Sequence, residues 1–255
     1  MTHPATIAMC GKGGVGKTTT AALIVKTLAE RRDRRILAID ADPAVGLSYA
    51  LGLTVSKTVD DIRNRLVDKI LHDQVGDRVD TLHMLDYEIF DAMVEHSGFS
   101  LLAIGRPEGD GCYCEVNNLL KDIIETLSAD FDLIIIDGEA GIEQINRRVM
   151  KTVDHLILVS DASRKSIHVA KTIEDVARKN NAVDYKRISL LLNRIRRAPE
   201  AHLAASRTDL ALLGWLPEDR QVREYDLEGK SFLGFPQDAP AAEGIRHLIE
   251  PILAL

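Results

Sequence analysis

The sequence lacks a long apolar segment, a basic leader and a set of pairable cysteines. No apolar run approaches the roughly 20 residues that a membrane-spanning helix needs, and the N-terminus does not show the basic-then-apolar layout of a secretory signal. Three cysteines, Cys10, Cys112 and Cys114, are too few and odd in number for a disulfide framework. We therefore expect a cytoplasmic protein without a membrane partner.

Positive charge is also in deficit. Lysine and arginine number 32 against 39 aspartate and glutamate residues, and the formal net charge of −7 argues against a dedicated nucleic-acid binder. The eight histidines show no H-E-x-x-H or H-x-x-E-H spacing. A chain of 255 residues, 45% of them hydrophobic, is long enough for one substantial core, and we expect one domain over residues 1–255.

Short apolar runs alternate with amphipathic stretches along most of the chain. The apolar runs predict strands at residues 5–10, 35–40, 81–85, 100–104, 131–137, 155–160, 187–193 and 211–216. The amphipathic stretches predict helices at residues 17–31, 60–72, 118–128, 142–150, 163–178 and 241–252, and glycine and proline predict a loop at 105–111. This alternation predicts an α/β fold in which a mostly parallel sheet carries helices on both faces.

A complete phosphate-loop motif lies between the first predicted strand and the first predicted helix. The pattern G-x-x-x-x-G-K-[ST] is matched by Gly11, Lys12, Gly13, Gly14, Val15, Gly16, Lys17 and Thr18. Glycines let backbone amides turn toward phosphates, and the positive end of the following helix adds to the attraction. Lys17 supplies charge to the β- and γ-phosphates, Thr18 supplies a hydroxyl ligand for Mg²⁺, and Thr19 is a further expected nucleotide contact. A chance glycine-rich turn is the alternative, but its strand and helix context favours ATP binding.

A second lysine extends the motif. With Lys12 in place, residues 12–18 resemble the deviant Walker A motif of the dimerising ATPases that include nitrogenase iron protein, MinD and ParA. The resemblance implies an ATP-dependent homodimer in which Lys12 reaches the nucleotide of the other subunit, so Lys12 and Lys17 are catalytic candidates. A solvated surface charge is the alternative for Lys12.

Aspartates end two of the predicted strands. Asp40 and Asp42 follow the second strand and Asp137 ends the strand at 131–137, where carboxylates face the ligand crevice of an open sheet. The resemblance implies that Asp42 orients the attacking water and that Asp40 and Asp137 lie at Mg²⁺ with Thr18. It also makes residues 40–43 a first switch segment and residues 138–141 a second one. A turn at Asp42 and a helix cap at Asp137 are the alternatives.

Two residues late in the chain are assigned by the same resemblance. In this class of ATPases an asparagine at the end of a late strand hydrogen-bonds the adenine, and Asn193 matches that position. Pro217, after the last predicted strand, is expected to line the same base pocket. An ordinary turn residue at a strand end is the alternative for Asn193.

The pair Cys112 and Cys114 separates this sequence from the general class. A disulfide between such close cysteines would be strained, whereas in an extended segment both thiolates point the same way and can hold one metal ion. Two pairs in a symmetric dimer would complete a four-sulfur tetrahedral site. Thiolates suit nickel, zinc or cuprous ion, and the residues do not choose among them. Small apolar side chains at the edge of a core are the alternative for this pair. Cys10, on a strand predicted to be buried, is interpreted as a core residue.

The segment around the cysteines resembles the CooC family. The resemblance covers residues 105–114 and 117–120, and the phosphate loop, the Asp-Ala-Asp-Pro segment, the Glu-Ala-Gly of residues 139–141 and the late asparagine fit it too. CooC proteins are ATPases that help insert nickel into carbon monoxide dehydrogenase. The resemblance implies a metallochaperone that hydrolyses ATP to ADP, holds Ni²⁺ or Zn²⁺ at its cysteines, and serves that client enzyme. Gly138 departs from the more polar residue expected there.

Three other functions stay open at this point. A positioning ATPase of the MinD or ParA kind would use a basic amphipathic C-terminal helix or a basic patch, whereas residues 245–255 carry few positive charges and a proline. An iron–sulfur redox protein like nitrogenase iron protein would carry two well-separated cysteines instead of a C-x-C pair. A maturation ATPase for a different nickel enzyme would share both the fold and the metal site.

Overall fold

An eight-stranded sheet forms the centre of the molecule. The computed structural model describes residues 4–72, 78–106, 114–139, 149–179 and 183–253. The strands are β1 Ala5–Cys10, β2 Ile36–Asp40, β3 Val94–His96, β4 Phe99–Ala103, β5 Leu133–Asp137, β6 Thr152–Ser160, β7 Asp184–Ile195 and β8 Leu212–Pro217. Their order across the sheet is β3-β4-β2-β5-β1-β6-β7-β8. Among the described strands, β3 and β4 pair antiparallel and the other six pairs are parallel.

Helices cover both faces of the sheet. In chain order they are α1 Lys17–Arg31, α2 Gly46–Leu51, α3 Val59–Leu71, α4 Arg78–Ala92, α5 Cys114–Ser128, α6 Arg164–Lys179, α7 Ala198–Ala205, α8 Arg220–Glu228 and α9 Pro240–Leu253. A short 3₁₀ helix, Phe232–Gly234, lies between α8 and α9. The predicted fold class, an α/β fold with a mostly parallel sheet between two layers of helices, is confirmed. Within the described residues, no helix has both the length and the apolar character that crossing a bilayer requires.

Alternate residues of β1 enter two separate apolar cores. Ile7 and Met9 pack with α1, α2 and α9, whereas Ala8 and Cys10 pack with α3 to α7 on the other face. Because both faces are buried, the central strands are nearly continuous apolar runs. Burial raises the pKa of the Cys10 thiol to about 12, which agrees with its interpretation as a core residue.

The predicted strand at residues 81–85 is wrong, because these residues lie inside helix α4. Leu85, Ile89 and Ala92 are buried at helical spacing against the second core. A short apolar run cannot be distinguished from one face of a helix when periodicity is read over so few residues.

Several other elements differ from the prediction. The sequence analysis did not predict β3, α2, α7 or α8, which are mostly short. The helix predicted at 118–128 begins four residues earlier, at Cys114. Of the helix predicted at 142–150, residues 142–148 lie outside the described residues, and the last two residues, Val149 and Met150, are not helical.

Candidate nucleotide site

The phosphate loop connects β1 to α1 through a backbone that leaves no room for a Cβ atom at two of its glycines. Gly11 has φ +150°, and a Cβ atom there would lie 2.1 Å from the carbonyl oxygen of Val159 on β6. Gly16 has φ +91°, and a Cβ atom there would lie 2.4 Å from Nδ2 of Asn193. The loop is therefore tightly enclosed by the ends of neighbouring strands, and a side chain at either position would displace it.

The start of α1 presents unpaired amides and a buried lysine to the loop. Gly16 caps the helix without a side-chain hydrogen bond, so no side chain of the described residues caps the first amides of α1. Lys17, the first helical residue, is only 8% exposed. Thr18, Thr19 and Lys12 are half-buried around it. Amides at a helix N-terminus beside a buried ammonium group form a site suited to phosphate.

Asp40 and Asp137 lie side by side at the carboxyl ends of β2 and β5. The two residues are in register, and both side chains are fully buried. Oδ2 of Asp40 accepts hydrogen bonds from the backbone amide and the hydroxyl of Ser48, at 2.9 and 3.0 Å. Oδ1 of Asp40 and both carboxylate oxygens of Asp137 have no hydrogen-bond partner among the described residues. Three buried oxygens are thus available to a ligand.

The two carboxylates hold their protons more tightly than exposed aspartates do. Burial raises the pKa of Asp137 to about 7, and the neighbouring Asp40 charge adds to the rise. The Thr18 hydroxyl and Lys17 lower that pKa, although Thr18 does not meet hydrogen-bond geometry with Asp137. Burial also raises the pKa of Asp40 to about 6, against the lowering effect of Ser48.

Oxygen donors of this kind fit Mg²⁺, which prefers carboxylates and keeps several waters in phosphate-binding sites. The unpartnered oxygens of Asp40 and Asp137, together with the half-buried Thr18, supply such a donor set. A divalent cation there would compensate two adjacent buried carboxylates, which are otherwise costly to ionise. The residues present therefore fit the magnesium ion expected for a P-loop ATPase.

The segment after β2 folds against the phosphate loop. Oδ1 of Asp42 accepts a hydrogen bond from the amide of Ala44, and its carbonyl accepts one from the amide of Val45, each at 2.9 Å. Val45 has φ +53°, a left-handed conformation that a β-branched residue rarely adopts. A Cβ atom at Gly46 would lie 3.5 Å from the Cγ2 atom of Thr18, so Gly46 is close to that side chain. The residues that follow the predicted first switch therefore come close to the phosphate loop.

A cavity of about 570 Å³ opens beside the phosphate loop. Thr19, Asn193 and Pro217 line it together with residues of α8, so the structure brings these three predicted residues to one place. Its size is in the range of small-molecule sites. Asn193 donates one amide hydrogen to the carbonyl of Val15 at 2.8 Å and accepts from the amide of Arg194 at 2.9 Å. The second amide hydrogen of Asn193 remains available to a base. The contact of Asn193 with adenine stays a prediction.

Sequence reasoning missed two side chains at this site. Ser48 holds Asp40 from α2, and Arg194 donates to the carbonyl of Gly14 at 3.0 Å. Neither belongs to a recognised motif. The one available signal for Arg194 was its place directly after Asn193, and Ser48 gave no signal beyond a helix start after an aspartate turn.

The cysteine pair is only partly placed. Cys112 lies outside the described residues, and Cys114 is the first residue of α5, so the extended backbone assumed for the pair does not include Cys114. Within the described ranges, no group of three or more His, Cys, Asp or Glu side chains could hold a metal ion. Gly138 donates its amide to the carbonyl of Met9 at 2.9 Å, whereas residues 140 and 141 of the predicted second switch are not described.

Several known proteins are similar to this chain in sequence or in fold. An uncharacterized ATP-binding protein of Methanocaldococcus jannaschii is 37% identical over 249 residues, which cover 97% of this chain and 98% of that one. The carbon monoxide dehydrogenase accessory protein CooC of Rhodospirillum rubrum is 29% identical over 235 residues, 88% of each chain. The septum site-determining protein MinD of Pyrococcus horikoshii, solved with Mg-ADP, superimposes with a TM-score of 0.69 at 23% identity, covering 98% and 97% of the two chains. That last likeness concerns the fold alone.

One protein family matches most of the sequence. The CbiA family, described as the CobQ/CobB/MinD/ParA nucleotide binding domain, matches residues 6–232. The matched region contains the phosphate loop, both buried aspartates and every cavity-lining residue except Ala241. The chain belongs to the CobQ/CobB/MinD/ParA nucleotide-binding family and is a P-loop ATPase.

Proposed function

We propose that this ATPase is a metallochaperone of the CooC type, active in the cytoplasm as an ATP-dependent homodimer. Cys112 and Cys114 of each subunit would hold one Ni²⁺ or Zn²⁺ ion, and the client would be a nickel enzyme, carbon monoxide dehydrogenase. The observation that carries the proposal is the likeness to CooC over 88% of both chains, joined to a C-x-C pair. One ATPase domain over residues 1–255 would perform the whole task.

ATP would bind with its phosphates on the loop at residues 11–18 and its base in the adjoining cavity. Lys17 would neutralise the β- and γ-phosphates, since it is buried at the start of α1. Thr18, Asp40 and Asp137 would hold Mg²⁺, which supplies positive charge to the phosphates as they react. The three carboxylate oxygens without a partner among the described residues support this assignment.

Hydrolysis would depend on Asp42 and on a second subunit. One oxygen of Asp42 is occupied by the Ala44 amide, which leaves the other to orient an attacking water. Lys12 is half-buried at the phosphate loop, and across a symmetric dimer it would reach the other subunit's nucleotide. The closeness of Gly46 to the Thr18 side chain supports a role for the preceding residues 40–43 as a switch that responds to the occupied site.

A short backbone path supports coupling between nucleotide and metal. Ile104, the residue that follows β4, donates its amide to the carbonyl of Asp40 at 2.8 Å. Ile104 also accepts from the amide of Asp60 at 2.9 Å, at the start of α3. The chain continues from Ile104 directly into the segment that carries Cys112. A shift of Asp40 on nucleotide exchange would therefore move Ile104, from which the chain continues toward Cys112.

The C-terminal helix favours this function over a membrane-positioning ATPase. Ile245, Leu248, Ile249 and Ile252 form the apolar face of α9, and all four are buried in the core shared with α1. An amphipathic helix that binds a lipid surface must leave its apolar face free. The apolar face of α9 is instead buried in the core of the protein.

Metal analysis tests the proposal. Wild type and the double variant Cys112→Ala/Cys114→Ala would be titrated with Ni²⁺ and with Zn²⁺, each with and without a non-hydrolysable ATP analogue. We expect one ion per two chains in wild type, a changed affinity with the analogue, and loss of the ion in the double variant. Cys10→Ala is the matched control and should bind metal as wild type does, since Cys10 is buried in the core.

Three outcomes of this titration would contradict parts of the proposal. Equal metal affinity with and without the analogue would remove the switch. A double variant that still binds metal stoichiometrically would remove Cys112 and Cys114 as ligands. Absence of stoichiometric metal in every state would leave an ATPase without the maturation role.

A further inference from the structure

Strand β7 is irregular beside the phosphate loop. Its pairing with β8 shifts between Leu192 and Ile195, so two residues of β7, Asn193 and Arg194, oppose a single residue of β8. Arg194 has φ +59°, in the left-handed region. Successive side chains of a regular strand point to opposite faces of the sheet, and a bulge changes where they point.

The side chains of Asn193 and Arg194 each donate a hydrogen bond to one of two consecutive carbonyls of the phosphate loop. Asn193 donates from Nδ2 to the carbonyl of Val15 at 2.8 Å, and Arg194 donates from Nη1 to the carbonyl of Gly14 at 3.0 Å. The other terminal nitrogen of Arg194 lies 4.0 Å from the place where a Cβ atom of Gly16 would be. The guanidinium group therefore lies directly over the loop.

A phosphate cradle needs its amides turned inward and its carbonyls turned outward. The C=O of one residue and the N–H of the next belong to one planar trans peptide and point in opposite directions. Holding the Gly14 carbonyl outward therefore turns the Val15 amide inward, and holding the Val15 carbonyl does the same for the Gly16 amide. Two donors from β7 thus fix two amides of the loop.

The strained backbone at Arg194 indicates that this contact is more than a chance surface hydrogen bond. Of the described non-glycine residues, Arg32, Val45 and Arg194 have positive φ. Arg32 is the C-cap of α1, where a left-handed residue commonly ends a helix. Arg194 lies within a strand, where nothing but the bulge demands this conformation, and strain of this kind concentrates at functional sites.

We propose that Arg194 is a positioning residue for ATP binding, whose guanidinium holds the Gly14 carbonyl outward so that the Val15 amide faces the phosphates. The inference rests on nucleotide binding by residues 11–18. The role is distinct from a direct contact with the terminal phosphate, because the group held by Arg194 is part of the protein.

The variant Arg194→Gly tests this role, with Arg32→Gly as its matched control. Each change removes one exposed arginine and one left-handed non-glycine residue, and Arg32 lies at the far end of the 15-residue helix α1, about 20 Å away from the loop. Glycine accepts this φ freely, so we expect both variants to keep the wild-type thermal midpoint or exceed it without nucleotide. Calorimetric titration should show ATP and ADP binding weakened alike, by about fivefold, in Arg194→Gly only.

A second substitution protects the test against a folding defect. Arg194→Asn also tolerates the left-handed conformation and lacks the reach of arginine, so it should reproduce the weaker binding. Wild-type affinity in both Arg194 variants, equal losses in the Arg32 control, or a loss for ATP without one for ADP would each overturn the proposal. A wild type that binds no nucleotide would instead remove the phosphate-loop assignment on which the proposal rests.

Discussion

Replacing Asp137 by asparagine should make the nucleotide-free protein more stable at alkaline pH while abolishing its ATPase activity. Asp137 is fully buried beside Asp40, neither of its oxygens has a partner among the described residues, and burial raises its pKa to about 7. The folded state therefore binds this proton more tightly than the unfolded state, whose aspartate keeps the ordinary value of 3.8. Between about pH 4 and pH 7 the folded protein holds more protons, so stability falls as pH rises.

The size of the effect follows from the pKa difference. About three pH units at 1.4 kcal/mol each give a cost of about 4 kcal/mol above pH 7, and none below about pH 4. The Asp137→Asn variant would escape that cost but would bury an amide without partners, which costs about 1–3 kcal/mol at any pH. The net gain at pH 8 is about 2 kcal/mol, or about 5 °C in thermal midpoint for a chain of this size. Below about pH 5 the sign should reverse.

Thermal unfolding in a chelator, without nucleotide, at pH 8 and at pH 5 measures this directly. Asp132→Asn provides a control of opposite sign, because the Arg35 amide donates to Asp132 at 2.7 Å and lowers its pKa. That variant should lose stability at pH 8. An Asp137→Asn protein that is less stable than wild type at pH 8, or equally shifted at both pH values, would refute the reasoning.

Two further substitutions test the loop and the magnesium donors. Gly16→Ala places a methyl group 2.4 Å from Nδ2 of Asn193 at φ +91°, so titration calorimetry should show ATP affinity reduced by more than about tenfold, and unchanged affinity would contradict the enclosed loop. Ser48→Ala removes the hydroxyl donor to Asp40 and keeps the backbone donor, so the Mg²⁺ concentration for half-maximal ATPase should rise by up to about tenfold, with recovery in Ser48→Thr. An unchanged Mg²⁺ requirement in Ser48→Ala would argue against Asp40 as a magnesium residue.

Much of the fold could be predicted because its central strands carry strong local signals. Strand β5, for example, is an unbroken apolar run ending at Asp137, and burial on both faces demands that composition. Helix α4 could not be assigned, because its apolar residues do not keep to one face. Leu85 and Ile89 are buried, whereas Tyr87 and Phe90 are exposed, and the helix is fixed by packing against α3 and α5. Short elements such as α2 and β3 are likewise set by tertiary contacts.

The residues of the nucleotide site also differ in how far the sequence alone reveals them. Residues 11–18 form one contiguous motif whose spacing determines their geometry, and Asp40 and Asp137 end strands that meet at one sheet edge. Arg194 meets Gly14 across 180 residues of sequence, and only because β7 bulges at that point. No local pattern encodes a bulge defined by its partner strand, so this residue needed the structure.

Two of the three left-handed non-glycine residues described in the structure lie at one edge of the sheet, and the third, Arg32, ends helix α1. Val45 and Arg194 adopt left-handed conformations on either side of the phosphate loop, and two buried carboxylates lie between them. Each such residue costs about 1–3 kcal/mol, and a fold retains them only where the surroundings fix them in place. The ligands that this edge fits, a polyphosphate and a divalent cation, would offset the carboxylate cost on binding. Nucleotide with Mg²⁺ should therefore stabilise this edge more than any other part of the chain, because the strain is concentrated there.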